Sequence, residues 1–531
     1  MDHRSGDCGT GGLSDYAAGG PLMRRSIWNR ASDELTFAPL AADLEVDVAI
    51  VGGGITGMTT AALLARAGRR VAVLEAVRVG YGSTGYSTGN LYATVDSYLH
   101  RLADKWGWDR TRQVVQSRRM AIDLVEQNIF DYRLRCQFLR QPWVLYSTDS
   151  SAQDDELIER EYQACVKCGL DARVSNEAPL PYSINKALVV SHQAQFHPLH
   201  YVRQLAAAIR SERCHIYEGT PVVEIDQSHA LVRTAQHTVR AQHVVMATHT
   251  PKGFNTLQTE LAPYREYAVA GALAEKQLSG GIFWSVGAER TSTRLVEYDG
   301  RPHVLLIGER HKSGQREDTD AAWRKLEQIV RARFTVQAVE YRWSAQHYRP
   351  ADGLPYIGHS IGSSHLYLAT GFATDGLTYG TLAAILLSEQ IAGRSTEYDE
   401  LYSPRRFTPV KSAGKFLKEN LNVAGYYVKD YIKGGEARAL TEVRCGEGRV
   451  IEIDGDKLAV YRDDAGDLHA VSPVCTHLKC IVHWNRAERS WDCPCHGSRF
   501  SHEGDVLEGP ALAPLERRTI AGLDATAPKA G

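Results

Sequence analysis

No stretch of this chain approaches the roughly 18 consecutive apolar residues of a membrane-spanning helix, so no membrane span is predicted. A strong charge bias is also missing, because the net charge is only -2. That balance indicates neither a nucleic-acid partner nor a charged membrane surface. Arg24-Arg25 is followed by no apolar stretch, which argues against a twin-arginine export signal. We therefore expect a cytoplasmic protein.

Cysteine is sparse, and six of the ten cysteines are too scattered to suggest a secreted disulfide framework. These six are Cys8, Cys136, Cys165, Cys168, Cys214 and Cys445. The Cys165-x-x-Cys168 spacing allows a redox pair, but the segment is polar, has a helical pattern and contains no second pair. Two incidental thiols are the favoured interpretation.

The other four cysteines lie near the C-terminal end, each beside a histidine or a second cysteine. The two segments are Cys475-Thr-His477-Leu-Lys-Cys480 and Cys493-Pro-Cys495-His496-Gly-Ser498. A Cys₂His₂ set can hold zinc, but a zinc finger pairs two cysteines and then two histidines. Here each segment offers one Cys and one His plus a spare Cys. This set suits a [2Fe-2S] cluster held by two cysteines and two histidines.

Both segments closely resemble the ligand boxes of the Rieske iron–sulfur family. The resemblance implies that the cluster ligands are Cys475, His477, Cys493 and His496, and that Cys480 and Cys495 form a disulfide. It also implies that Ser498 donates a hydrogen bond to a cluster sulfur. Phe500 stands where many high-potential members carry a tyrosine donor, so a lower reduction potential is expected. Gly509-Pro510-Ala511 resembles the family's proline loop over the cluster.

A dinucleotide-binding pattern stands near the start of the chain. The apolar run Val46–Val51 leads into Gly52-Gly53-Gly54-Ile-Thr-Gly57, a helix-forming segment follows, and a second apolar run ends at Glu75. Glycines allow a tight turn and close approach to a pyrophosphate at the helix N-terminus, and the acid accepts hydrogen bonds from a ribose. Gly52, Gly54, Gly57 and Glu75 are therefore predicted to bind a dinucleotide, without a choice between FAD and NAD.

A second small-residue loop at Val79–Asn90 favours FAD. It resembles the loop that lies beside the FAD pyrophosphate and isoalloxazine in the D-amino-acid oxidase and glycine oxidase family. The resemblance implies that Ser83, Thr84, Ser87 and Thr88 contribute to the FAD site.

A pair of later segments resembles the C-terminal FAD motif of the glycine oxidase group. They are Asp352-Gly-x-Pro-x-x-Gly358 and Gly371-Phe372-x-x-x-Gly376, the latter leading into an Ala- and Leu-rich helix. The resemblance implies cofactor contacts from Asp352, Gly371, Phe372, Gly376, Leu377 and Thr378. The helix N-terminus would stabilise negative charge on the reduced flavin. No cysteine lies between Gly371 and Gly380, so covalent flavin attachment is not predicted there.

Residues 260–345 alternate in the manner of an antiparallel sheet, which this family uses as its substrate domain. Tyr264, Arg265 and Tyr267 are candidates to line the pocket. Arg349 occupies an Arg-Pro position that, by the resemblance, binds a substrate carboxylate, for which a guanidinium is well suited. Residues 100–180 have the pattern of charged amphipathic helices, with Trp106, Trp108 and Trp143 expected in the core.

The predicted fold class is α/β, a Rossmann-like FAD-binding domain with an antiparallel-sheet substrate domain, plus a small all-β Rieske domain. At 531 residues the chain is too long for one core. We divide it into a disordered or extended segment (1–40), the FAD-dependent oxidoreductase (41–400), a linker (401–433) and the Rieske domain (434–525).

Together the two cofactors predict an FAD-dependent dehydrogenase acting on an amine or amino acid. The flavin would take two electrons from the substrate. The cluster would then pass them singly to a ferredoxin, a cytochrome or another one-electron carrier. Alternatives are a reductase taking electrons inward through the cluster, a reductase for a separate oxygenase, and a redox-sensing or electron-transfer module without small-molecule turnover. The oxygenase alternative loses support because only one dinucleotide-binding unit is evident.

Overall fold

The computed structural model describes residues 25–29, 35–406, 420–423, 425–426, 435–437, 440–453 and 455–519. Most of the segment predicted to be disordered or extended (1–40) lies outside the described residues, as does most of the predicted linker.

Twenty-four strands form four sheets within the described residues. The strands of the N-terminal unit are β1 Leu44–Val51, β2 Val71–Leu74, β3 Asn90–Leu91, β4 Leu139–Ser147, β5 Ala172–Ser175, β6 Lys186–Gln195, β7 Cys214–Tyr217, β8 Val222–Asp226, β9 Leu231–Thr234, β10 Thr238–Met246, β11 Leu261–Leu273, β12 Ile282–Ser285, β13 Ser292–Tyr298, β14 Arg301–Lys312, β15 Val336–Pro350, β16 Tyr356–His359 and β17 Leu366–Thr370. Those of the C-terminal unit are β18 Gly448–Ile453, β19 Asp456–Arg462, β20 Leu468–Val471, β21 His483–Asn485, β22 Ser490–Asp492, β23 Arg499–Ser501 and β24 Val506–Glu508.

Eight α-helices with complete bounds belong to the N-terminal unit, and the described residues 420–423 and 425–426 are helical as well. They are α1 Ile55–Arg66, α2 Leu99–Trp106, α3 Trp108–Asp131, α4 Ala152–Lys167, α5 Pro198–Ile209, α6 Asp320–Arg333, α7 Gly376–Ile391 and α8 Asp399–Tyr402. Short 3₁₀ helices span Thr256–Glu260 and Leu440–Glu442. Among the described residues no helix is both long and apolar enough to cross a membrane.

The first sheet is the Rossmann-like part of the fold. Its order is β16-β17-β10-β1-β2-β7, and β17, β10, β1, β2 and β7 pair in parallel. β1 ends in four buried residues that pack into two hydrophobic clusters, Val48 and Ile50 in one and Ala49 and Val51 in the other, which explains its continuous apolar run. The predicted strand–glycine–helix–strand unit is confirmed.

The second sheet forms the other half of the N-terminal unit. Its order is β15-β11-β14-β13-β12-β4-β6-β3, with β5 beside β6. Neighbouring strands from β15 to β12 pair antiparallel, whereas β12 pairs in parallel with β4. Helix α6 packs on β11 and β14. The prediction of helices throughout residues 100–180 is wrong in part, because Trp143 lies on strand β4, fully buried beside Trp284.

The C-terminal unit is all-β within the described residues. β18-β19-β20 form one antiparallel sheet and β21-β22-β23-β24 form another. Trp491 and Phe500 face each other across β22 and β23 with no exposed surface and form part of its small core. Both fold-class predictions, an α/β oxidoreductase and a small all-β domain, are confirmed.

Candidate active site and cluster site

The glycine-rich turn after β1 is built for close backbone contact. Gly52 has φ +108°, and a Cβ there would lie 2.5 Å from the Ala247 carbonyl oxygen. A Cβ at Gly57 would lie 2.0 Å from the Gly52 oxygen, so only glycine allows α1 to begin this close to β1. Glu75 accepts hydrogen bonds from the Gly53 amide (2.7 Å) and the Val77 amide (2.9 Å). Burial raises the pKa of Glu75.

The second small-residue loop contacts this turn. Thr84 Oγ1 accepts a hydrogen bond from the Ile55 amide at 3.0 Å, at the first residue of α1. Ser87 donates to the Thr84 carbonyl at 2.7 Å, and Ser83 Oγ contacts His249 Nδ1 at 3.1 Å. The Thr88 carbonyl accepts from Arg294. The structure thus brings Thr84 to the N-terminal end of α1, whereas Ser83 and Thr88 contact His249 and Arg294.

The C-terminal FAD motif leads into helix α7, which packs against the N-terminal end of α1. Helix α7 begins at Gly376, as predicted, and a Cβ on Gly380 would lie 2.6 Å from Thr56 Oγ1, so α7 packs tightly on α1. Gly371 takes φ +78° after β17. Asp352 is fully buried and paired with Arg406, Oδ2 to Nε at 2.8 Å. Its carboxylate therefore anchors this loop to the chain segment after α8.

A cavity of about 280 Å³ lies between the second sheet and the predicted flavin loops. Its wall includes Thr88, Asn90, Tyr92 and Thr374 from the flavin side, and Glu266, Trp284, Ile307 and Arg310 from the sheet side. Asp96 is the most heavily paired residue of this wall, with ion pairs to Arg290, Arg310 and Arg349. Burial raises the pKa of Asp96, but the three guanidiniums outweigh it and hold the pKa well below its usual range.

The predicted substrate residues Arg349 and Tyr267 do not line the cavity, although Arg349 contacts the wall residue Asp96. The Arg349 guanidinium pairs with Asp96 at 3.3 Å and lies over the Tyr264 ring. Tyr267 is fully buried against Trp323 and hydrogen-bonds His311 Nε2 at 3.2 Å. Arg265 is buried beneath the C-terminal unit instead of lining the cavity. The sequence reasoning missed Asp96, Arg290 and Arg310, for which no motif gives a signal.

The four predicted cluster ligands come together in two loops of the C-terminal unit. The Cys475 and Cys493 thiols hydrogen-bond each other, which lowers the pKa of Cys475 to about 7. Backbone amides donate to both sulfurs: those of His477 and Leu478 to Cys475, and those of Cys495 and His496 to Cys493. The His477 and His496 rings lie 5.1 Å apart, centroid to centroid.

This arrangement fits a metal cluster. Within the described part of the chain, His477 Nε2 and His496 Nδ1 are buried ring nitrogens without a hydrogen-bond partner, a costly state unless another group binds them. The adjacent thiols already receive amide hydrogen bonds that stabilise thiolate charge. Cys480 and Cys495 are joined by a disulfide that ties the two loops together. The Ser498 hydroxyl contacts the Cys475 sulfur and accepts from the Ala511 amide at 3.1 Å.

The cluster loops rest directly on the N-terminal unit. Gln346 donates to the Gly497 carbonyl at 2.7 Å, the Gly253 amide donates to the Pro510 carbonyl at 3.0 Å, and the Ala487 amide donates to Thr319 Oγ1 at 2.9 Å. The buried Arg265 guanidinium faces Glu488 and Glu508 at 3.5 and 3.8 Å. Desolvation lowers the pKa of half-buried Lys252, and the Glu508 and Glu75 carboxylates act in the opposite direction.

Two family models account for most of the chain. The model described as "FAD dependent oxidoreductase" matches residues 47–390, and that described as "Rieske [2Fe-2S] domain" matches residues 436–519. The chain belongs to the FAD-dependent oxidoreductase family and carries a Rieske domain. It therefore binds FAD and a [2Fe-2S] cluster, as predicted.

Relatives support both parts. The Bacillus subtilis (strain 168) protein YhfW, named as a Rieske 2Fe-2S iron–sulfur protein, is 31% identical over 93% of this chain and 97% of its own length. Gamma-glutamylputrescine oxidoreductase of Escherichia coli (strain K12) is 25% identical over 68% of this chain and 87% of its own length. Glycine oxidase from Geobacillus kaustophilus shares the fold, with a TM-score of 0.56 and 21% identity over 69% of this chain and all of that structure.

Proposed function

We propose that this protein is an FAD-dependent dehydrogenase that oxidises a C–N bond of an amine or amino-acid-like substrate. The electrons then pass through its Rieske cluster to an external one-electron carrier, such as a ferredoxin or a cytochrome. FAD when bound accepts two electrons, and a [2Fe-2S] cluster carries one at a time. The C–N assignment is supported by the similarity to a gamma-glutamylputrescine oxidoreductase and by the fold of glycine oxidase.

The single observation that carries the proposal is the position of Tyr348. This residue of β15 is fully buried, and its hydroxyl donates to the Gly509 carbonyl at 3.0 Å and approaches the His496 carbonyl at 3.4 Å. Its own carbonyl accepts from the Ala373 amide at 3.0 Å, within the predicted flavin motif. One residue therefore contacts both the flavin motif and a cluster ligand. Such proximity supports electron exchange within the chain.

The residues around the predicted flavin site have separate tasks. The N-termini of α1 and α7 supply amide groups and positive helix ends for the pyrophosphate and for negative charge on a reduced flavin. Glu75 is the candidate ribose acceptor, and Thr84 fixes the second loop against α1. The cavity beside Thr88 and Asn90 provides a place for the substrate between these loop residues and the second sheet.

Two other functions are compatible with parts of this arrangement. The contacts of Tyr348 equally support electron flow inward, from a reduced carrier through the cluster to the flavin, which would make the protein a reductase. A redox sensor without turnover is less well supported, because a sensor has no need of the cavity of about 280 Å³ beside the flavin loops.

We retain the predicted division into an oxidoreductase at 41–400 and a Rieske domain at 434–525, which the family matches at 47–390 and 436–519 support. The predicted cytoplasmic location and the substrate roles predicted for Arg349 and Tyr267 stay predictions.

An anaerobic titration of the purified holoprotein tests the direction of electron flow. Amines, amino acids, NADPH and reduced ferredoxin are added separately while absorbance follows the flavin and EPR follows the cluster. The dehydrogenase proposal expects an amine or amino acid to bleach the flavin and a reduced Rieske signal to follow. Reduction by ferredoxin or NADPH alone would establish inward flow and refute the dehydrogenase.

A ligand variant then tests whether electrons leave through the cluster. Cys493→Ser should still allow substrate to bleach the flavin but should abolish reduction of an added cytochrome. Cys214→Ser, which changes a buried thiol on β7 away from the cluster, is the matched control and should behave as wild type. Undiminished cytochrome reduction by the Cys493→Ser protein would contradict the proposed route.

A further inference from the structure

Asp96 occupies a position between three guanidiniums that resembles that of a bound carboxylate. Its Oδ1 contacts Arg310 Nη2 at 3.1 Å and Arg290 Nη2 at 3.3 Å. Its Oδ2 contacts Arg310 Nη1 at 3.1 Å and Arg349 Nη2 at 3.3 Å. The side chain is 5% exposed, and its backbone amide is held by Asp375 at 3.3 Å. An internal carboxylate therefore already satisfies this arginine cluster.

The cavity wall presents mainly carboxylates to a ligand. Its two guanidiniums, Arg290 and Arg310, both bond to Asp96. Besides Asp96 the wall carries Glu266, Glu289 and Glu309. Arg349 also pairs with Asp96 but is not itself a lining residue of the cavity.

Among the described wall carboxylates other than Asp96, Glu266 is the one that is largely buried and shares its guanidinium partner with Asp96. Glu309 pairs with both Arg316 and Lys325, and Glu289 is half exposed beside Arg333. Glu266 is 18% exposed, and its one ion pair joins Oε1 to Arg310 Nη2 at 3.3 Å, a guanidinium that it shares with Asp96. A partly buried carboxylate with a weak, shared partner is a favourable site for an ammonium group.

We propose that the cavity selects an amine without a carboxylate on the reacting carbon, with Glu266 binding its ammonium group and Asp96 filling the place on the arginines that an α-carboxylate would take. This inference rests on the proposed function and narrows its substrate to primary or secondary amines. A substrate carboxylate would have to compete with Asp96 for guanidiniums already bound in four contacts, and it would face Glu266 and Glu309. The small cavity adds a limit on size, since ligand sites usually span about 300–1,000 Å³.

A matched set of three probes separates the contribution of the amine from that of the carboxylate. The probes are n-butylamine, 2-aminopentanoate (the same amine with an α-carboxylate) and pentanoate (the carboxylate alone). Binding to the oxidised holoprotein is measured anaerobically by perturbation of the flavin spectrum and by calorimetry. Wild type should bind n-butylamine at least about tenfold more tightly than either carboxylate. Equal or tighter binding of 2-aminopentanoate, or no binding of n-butylamine, would overturn the inference.

Three variants test the residue roles. Glu266→Gln should weaken n-butylamine binding about 10- to 100-fold, whereas Glu297→Gln, an exposed carboxylate on β13 of the same sheet, should leave it unchanged. Asp96→Asn should improve pentanoate binding about tenfold or more because it frees the guanidiniums. Glu266→Gln, with its Glu297→Gln control, keeps the inference testable if Asp96→Asn does not fold. Unchanged amine binding in Glu266→Gln would refute the role of Glu266.

The outcomes distinguish this inference from the proposed function. If n-butylamine binds selectively but no amine bleaches the flavin, the cavity assignment stands and the dehydrogenase fails. If amino acids bind better and bleach the flavin while n-butylamine does neither, the dehydrogenase stands and the amine selectivity fails.

Discussion

The docking of the Rieske domain can be tested at Gly314, in the turn after β14. Gly314 has φ +67°, and a Cβ there would lie 2.8 Å from both the Asp492 carbonyl oxygen and the Pro494 nitrogen. Both atoms are backbone of the Rieske domain beside ligand Cys493. Gly314→Ala therefore forces the domains apart without changing any residue of the cluster loops.

The magnitude follows from the geometry. An L-residue in the left-handed region costs about 1–2 kcal/mol. Ordinary van der Waals contact begins near 3.4 Å, so the 2.8 Å contacts must lengthen by about 0.6 Å. That shift weakens interdomain hydrogen bonds such as Gln346 to Gly497 (2.7 Å) and Tyr348 to Gly509 (3.0 Å), each worth about 1 kcal/mol. We expect a loss of about 2–4 kcal/mol in docking free energy beyond the local strain.

Gly300→Ala is the matched control. Gly300 has φ +73° in the turn between β13 and β14, and a Cβ there meets no heavy atom within 4 Å. Both variants carry the same backbone strain, but only Gly314→Ala strains the domain contact. Differential scanning calorimetry should show an early separate transition for the Rieske domain, and rapid-mixing EPR should show slower cluster reduction, in Gly314→Ala alone. Identical behaviour of the two variants would refute the docked arrangement.

Three further predictions concern the cofactor sites and acid stability. Ser498→Ala should lower the cluster potential by about 40–80 mV in an EPR-monitored redox titration, because the reduced cluster loses a hydrogen bond worth about 1–2 kcal/mol near Cys475. Glu75→Ala should lower FAD affinity about tenfold or more, measured by flavin release on dilution, because the ribose acceptor is lost. Burial lowers the pKa of His197 to about 2. The protein should therefore become less stable as pH falls below about 6.5, because His197 is then protonated in the unfolded chain but stays neutral in the folded protein. In urea unfolding, His197→Asn should reduce this loss by up to about 1.4 kcal/mol per pH unit while keeping a side-chain cap for the amide of His200.

Each of these predictions has its own control. Ser498→Thr keeps a hydroxyl and should restore most of the potential. Glu45→Ala changes an exposed carboxylate on β1 and should leave FAD affinity unchanged. His192→Asn changes a histidine that is 81% exposed and should leave the pH slope unchanged. An unaltered potential, affinity or slope in the corresponding test variant would contradict that prediction.

The parts of the fold that depend on short, continuous patterns could be predicted from the sequence. The turn from Gly52 to Gly57 and the start of α7 at Gly376 follow from glycine geometry and helix composition, which are local properties. The Cys and His spacing of the cluster boxes is equally local. Trp143 was assigned to helical structure because charged residues around it suggested an amphipathic helix, whereas pairing with β6 and β12 decides its conformation.

The charged network of the candidate site could not be predicted in this way. Asp96 pairs with Arg290, Arg310 and Arg349, which lie at least 194 residues further along the chain, and no spacing rule links them. The domain contact of Arg265 with Glu488 is similar, because Arg265 alone has the pattern of an ordinary sheet surface position and Glu488 lies in a turn. Such pairs depend on how the sheets and domains pack, which single-sequence patterns do not contain.

Half-buried Lys252 connects the charges of the two domains. The carboxylate of Glu508, in the Rieske domain, and that of Glu75, in the nucleotide site, both stabilise its ammonium charge. The charges beside the nucleotide site are therefore complete only while the Rieske domain is docked. A movement of that domain would change the electrostatic environment of Glu75, the candidate ribose acceptor, without any direct contact to the nucleotide.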